Sequence, residues 1–362
     1  MLRWTDSLAS ILWPQMGWWV NSLHPTPSSF GLSFGLVPPK PTLSRICTMP
    51  KEVTHWLIAR RLAQKLDGTG YTPALLQNPN CLMLGAVFHD ALFYLPPYAA
   101  IADHWHGIDG EDTFEMVRRL SVAVDEPSSD GPFRAFLVGV ISHIFADITY
   151  HPMIFHLTGQ YHDADRRMRS RAVQAHRLFE TRLDLLYCGG LKQVKSFSLG
   201  AYISGAELPF KSLIRKVCRK LAPDGLAYAM YSAYQVFRLA QFIAQRQYLA
   251  SCLHQVKAGL PDLAREIASL MYAPQLAAPA NQLPGELAYR HPVTGQDAVG
   301  HLDALLDLAA TRAAAFCCQI ESAIVSGQPL DLPEPGPSML TGLLGRKVSE
   351  MKYFSHGEYA VF

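Results

Sequence analysis

Two pairs of metal-binding residue types, each four residues apart, sit on apolar helical stripes, and they constrain the fold more than any other feature of the chain. His143 and Asp147 lie in Ser142-His143-Ile144-Phe145-Ala146-Asp147, and His176 and Glu180 in His176-Arg177-Leu178-Phe179-Glu180. At i and i+4 both side chains leave one helix face about a turn apart, so the two can grip one ion. On a helical wheel His176 and Glu180 fall among Ala172, Phe179, Leu183 and Tyr187, and His143 and Asp147 edge the stripe of Phe136, Val140, Ile144 and Ile148. An unpaired carboxylate on a buried face costs roughly several kcal/mol, which a divalent cation removes. One such pair would be read as a hydrogen bond on a solvated face. Two pairs, with more His and Asp close by, point to metal, and carboxylate with neutral imidazole suits zinc.

The rest of the pattern is helical as well. The spacing predicts a helix from Glu52, ended by Asp67-Gly68-Thr69-Gly70, and an apolar run from Cys81 to Leu95 stopped by Pro96-Pro97. It predicts a short helix over 112–122, a loop over 127–132, and the clearest helix over 133–150. Because the residue before a proline is disfavoured in helical geometry, His151 is expected at or just past the end of that helix, before Pro152. Further helices are expected over 165–187, capped by Gly189-Gly190, and over 210–221, 225–256, 264–271 and 301–325. A proline-dotted loop is expected over 274–295, and no β alternation or internal repeat stands out. The fold class is therefore all-α.

Composition narrows the partners. The formal net charge of +2 in 362 residues gives no basic excess for a polyanion groove, so no nucleic acid is expected. Seven cysteines, odd in number and without a CxxC, fit a reducing compartment and a cytoplasmic location. Residues 1–48 hold Trp4, Trp13, Trp18 and Trp19 among many prolines, too broken for a membrane span or a signal peptide. They are expected to be a dispensable extension, with Met49 as a plausible start. The expected organisation is then a metal-binding domain over 49–190, a helical continuation over 191–326, and an irregular tail over 327–362.

Three pieces upstream of the pairs complete the pattern: Thr54-His55, then Gly85-Ala86-Val87-Phe88-His89-Asp90, then His104-Trp105-His106-Gly107. Each is weak alone. In order, and followed by Ser142-His143-x-x-x-Asp147-x-x-x-His151 and His176-x-x-x-Glu180, they resemble the zinc-dependent phospholipase C/D family. That family includes bacterial phospholipase C, relatives of glycosylphosphatidylinositol-specific phospholipase D and, more distantly, the S1/P1 nucleases. The resemblance covers roughly residues 50 to 190.

The resemblance implies a multi-helix bundle of the phospholipase C and P1 nuclease kind, with additional C-terminal helices, holding two or three zinc ions. It implies one zinc held by Asp90, His106, His143 and Asp147, a second by His151, His176 and Glu180, and a third by His55 with Asp147 as bridge. The family's third site also uses the amine of a processed N-terminal tryptophan, which this chain does not show. His104 competes with His106, and His156 and His162 with His151. The implied activity is hydrolysis of phosphodiesters, with Asp90 as base or water orienter, on a phospholipid or other phosphodiester substrate and with transient membrane-surface contact. Phe88, Phe93, Tyr94 and Phe155 are candidates for an apolar wall. The alternatives are an HD-type metal phosphohydrolase, reading His55, His89-Asp90 and Asp147, and a non-catalytic helical metal-binding protein.

Overall fold

The computed structural model describes residues 51–121, 131–161, 163–221, 225–326 and 328–355. The extension over 1–48, His24 and His162 lie outside the described residues. Everything described belongs to the second of two units into which the chain divides, Leu43–Phe362.

The architecture is all-α. Around the 28-residue helix Gly131–Thr158 pack the helices Glu52–Lys65, Thr72–Gln77, Pro79–Gly85, Arg166–Cys188 and Leu302–Ser326. Gly131–Thr158 is apolar on nearly every side and, among the described residues, is the one helix long and apolar enough to cross a membrane. Most of that apolar window is buried inside the protein, and a helix hydrophobic all round belongs in a core. One hydrophobic core runs from Val53 through Phe136, Ile144 and Phe179 to Tyr234, Ala309 and Met339.

Two glycines set the closest crossing. A Cβ on Gly85 would overlap the Phe136 carbonyl, and one on Gly139 would overlap the Leu82 carbonyl. The Pro79–Gly85 helix can therefore lie backbone to backbone on the central helix, which brings the following turn, with Asp90, up to His143. The start of Glu52–Lys65 is capped from outside. Asp184 on the Arg166–Cys188 helix accepts from Thr54 N (2.8 Å), Thr54 Oγ1 (2.6 Å) and Val53 N (3.4 Å). That helix is itself capped by Asp165, which accepts from Arg167 N and Met168 N, and by Gly189 at φ +81°.

The structure corrects several expectations. His151 does not end a helix: Gly131–Thr158 continues through Pro152. Proline in a helix interior costs about 3 kcal/mol. The continuation buries Met153, Ile154, Phe155 and Leu157, each worth roughly 1.5–3 kcal/mol, so burial prevails. Pro132, expected in a loop, is the second residue of the same helix, where its missing N–H has no intrahelical partner to lose. The Cys81–Leu95 run breaks after Gly85 and resumes as the short turns Phe88–Ala91 and Leu92–Tyr94. The long helix expected over 225–256 is two, Leu226–Ala244 and Gln247–Val256. Within the expected loop, Glu286–Arg290 forms a strand that pairs antiparallel with Asp297–His301, a hairpin whose facing residues Leu287 and Gly300 are buried.

Candidate metal centre

The helix through Pro152 puts His143, Asp147 and His151 at i, i+4 and i+8, on one face of one rigid element. Their neighbours come from four other places. His55 stands on Glu52–Lys65, Asp90 on the turn after Gly85, His106 just past the end of the Ala99–Trp105 helix, and His176 and Glu180 on Arg166–Cys188. All eight are buried.

Their donor atoms fall into three close groups: His55, Asp90 and His143; His106, His143 and Asp147; and His151, His176 and Glu180. In the first half of the site, His106 Nε2 is 3.2 Å from Asp90 Oδ1 and 3.5 Å from His143 Nε2, which is 3.4 Å from Asp147 Oδ2. In the second half, His176 Nε2 is 3.2 Å and His151 Nε2 3.8 Å from Glu180 Oε1. Asp147 joins the parts: Oδ1 lies 3.5 Å from His55 Nε2, and Oδ2 lies 3.6 Å from His151 Nδ1. Zinc bonds near 2 Å at tetrahedral angles separate neighbouring donor atoms by roughly 3–4 Å, so these separations fit shared ions. The unsatisfied atoms agree. Asp147 Oδ2 and Glu180 Oε2 are buried carboxylate oxygens with no hydrogen-bond partner among the described residues, which native interiors avoid unless an ion or water serves them.

Backbone carbonyls set the tautomers of three histidines. His106 Nδ1 donates to the Ala102 carbonyl (2.7 Å), His143 Nδ1 to Ala86 (2.9 Å) and His151 Nδ1 to Met339 (2.9 Å). A carbonyl only accepts, so in each neutral ring Nε2 keeps the lone pair that a metal takes.

The charges are strongly displaced. Burial opposes charge on His143 and His151, but Asp90 and Asp147 outweigh it for His143, and Asp147 and Glu180 for His151, raising both to about 9. Burial opposes the Glu180 carboxylate too, yet His176 and His151 pull it down to about 2. Burial, with His143 beside it, lowers His55 to about 4. The carboxylates thus draw positive charge into the interior, as protons or as a cation.

His104 is half exposed and faces Glu111 and Glu115, away from this cluster, and His156 Nδ1 is engaged with the Tyr353 carbonyl. His89, the residue an HD-type reading needs, belongs to none of the three groups. Its ring stacks on His143 at 4.6 Å, and burial and His143 hold its pKa well down. Of the aromatics, Phe93 lies against His106 and Phe155 against His151 and His176. Phe88 packs in the core with Trp105 and Phe136, and Tyr94 stacks on Phe237.

The family model for zinc-dependent phospholipase C matches residues 54–242, more than half of the chain. The chain belongs to the zinc-dependent phospholipase C family. No match was found among curated proteins or among solved structures. Membership in the phospholipase C family brings a zinc-dependent hydrolase acting on a lipid class of substrate, and the buried donor groups fit zinc.

Two contributors to this phospholipase-family site had escaped the sequence. Lys51 lines a pocket with Thr54, His55, Asp147, Tyr150, His151 and Glu180. Its ammonium donates to the Leu270 carbonyl, lies over the Tyr272 ring, and has its pKa lowered by burial. A lysine one residue before a helix carries no pattern that would single it out. The other is Met339, which acts through its backbone and leaves no signature in side-chain chemistry.

Proposed function

We propose that the protein hydrolyses phosphodiester bonds of phospholipid-type substrates at a centre of two or three zinc ions. In this reading Asp90, His106, His143 and Asp147 hold one ion, His151, His176 and Glu180 a second, and His55 with Asp147 a third. The observation that carries it is the convergence of eight buried ligand-type residues into three groups, two of which share His143.

Bound zinc would supply an acidified water near neutral pH and Lewis-acid polarisation of the phosphoryl oxygens. The residues do the rest. Three carboxylates offset only part of the charge of two or three dications, so the loaded site stays positive and attracts a phosphate. Asp90, whose Oδ1 lies 3.2 Å from His106 Nε2, is the base that accepts or orients the water's proton. Phe155 and Phe93 shield the two halves from bulk water, and Lys51 adds a cation on the pocket wall. The substrate reaches the site from a membrane surface by transient contact, and the cytoplasm is its proposed location.

The test is elemental analysis of the purified full chain beside an activity screen on phosphatidylcholine, phosphatidylinositol and water-soluble phosphodiesters. The reading expects at least two zinc ions per chain and turnover of a phospholipid. Zinc with turnover of none of these substrates would overturn the phosphodiesterase assignment while leaving the family intact.

A further inference from the structure

We propose that the C-terminal segment 336–353 is a built-in part of the zinc centre, with Met339 holding one ligand from each half. This rests on the reading of His106 and His151 as ligands. Met339 is fully buried; its N–H donates to the His106 carbonyl (2.9 Å), and its own carbonyl accepts from His151 Nδ1 (2.9 Å). A single residue, through its backbone N–H and its carbonyl, thereby fixes the loop that carries one ligand and the ring orientation of another. The family match ends at residue 242, so the segment is a contribution of this chain beyond the matched region.

The segment is placed for this task along its whole course. Gly336 N donates to Asp112 Oδ1 (2.7 Å), Thr113 Oγ1 to the Pro337 carbonyl (2.8 Å), and Val348 N to the Ile108 carbonyl (2.9 Å). These bonds hold it to the loop that follows His106. On its other side it meets the central helix, where His156 Nδ1 donates to the Tyr353 carbonyl (2.8 Å). Two glycines make the close passage possible. Gly107, at φ +70°, would put a Cβ 3.2 Å from Ser338 Cα, and Gly342, also at φ +70°, would put one 3.0 Å from the Ile148 carbonyl. That carbonyl is the one Pro152 leaves without its helical donor. The chain thus passes closest where the ligand helix lacks a backbone bond. Leu340, Val348 and Met351 then join Phe155, Tyr161 and Val173 in a second apolar cluster beside His176.

Partners that orient a ligating histidine are worth about 10–100-fold in metal affinity. Linkage is reciprocal, so zinc must steady the segment as much as the segment steadies zinc. Gly342→Val in the full chain, which forces a β-branched residue into a left-handed conformation, should weaken zinc binding by about 10–100-fold in a competitive chelator titration, with helical circular dichroism retained. Hydrogen exchange on the unmodified chain gives a second readout that needs no variant: the Met339 and Val348 amides should exchange about tenfold more slowly with zinc than without. A folded Gly342→Val chain with zinc affinity within about twofold of the parent, or amides indifferent to zinc, would overturn the proposal. If the unmodified chain binds no zinc at all, the ligand reading falls and this inference with it; if it binds zinc while the segment stays indifferent, only this inference falls.

Discussion

The two halves of the metal centre are built from the same residue types but are held to different degrees. In the first half, His106 Nδ1 donates to the Ala102 carbonyl four residues back and His143 Nδ1 to the Ala86 carbonyl, and Asp90 Oδ1 lies 3.2 Å from His106 Nε2. In the second half, His151 depends on a carbonyl 188 residues away. His176 Nδ1, unlike the Nδ1 of His106 and His143, has no hydrogen-bond partner among the described residues. An imidazole already oriented takes a metal without reorganisation, whereas one held by a single i, i+4 neighbour must be ordered by the ion itself. The comparison predicts that the first half should bind zinc more tightly and that the second is where affinity should be lost first.

The largest effect should come from removing metal altogether. A strong chelator should abolish hydrolysis and added zinc should restore it, with graded chelation releasing zinc in two steps; release in one step would break the distinction between the halves. Next come the ligand substitutions, read as zinc per chain by elemental analysis. His143→Ala touches two donor groups and should remove the first-half ion and lower turnover by about a thousandfold or more. His176→Ala should remove the second ion and leave the first. Equal losses from both variants would break the comparison. Asp90→Asn should lower kcat by roughly 10²–10⁴-fold, the range of general-base contributions, while thermal unfolding moves by only a few degrees, about 1 kcal/mol. A smaller loss of turnover than of stability would recast Asp90 as structural. Smallest of all, deleting residues 1–48 should leave zinc content and turnover unchanged, since they contain no member of either half; a fall in either would attach that segment to the domain.

How much of this was legible in the sequence differs between the same two regions. The helical pairs were, because i, i+4 spacing inside an apolar stripe maps directly onto one helix face. The route by which Asp90 meets His143 was not: it depends on Gly85 and Gly139 allowing two backbones to touch, and a glycine in an apolar run does not reveal its partner. The proline rule misplaced the end of the central helix because it weighs local geometry alone. The burial of Met153, Ile154 and Phe155 that overrides it depends on elements far along the chain. The hairpin around Leu287 was too short and too weakly alternating to stand out from its proline-dotted surroundings. The tail was readable as irregular but not as part of the site, because what Met339 contributes is its backbone N–H and carbonyl, which any residue but proline could supply.

The central claim, that these two groups of buried residues each hold zinc, is tested most directly by an anomalous difference map from crystals of the full chain measured at the zinc absorption edge. One peak should be bounded by Asp90, His106, His143 and Asp147, and a second by His151, His176 and Glu180. Zinc-loaded crystals with anomalous density in neither place would contradict it.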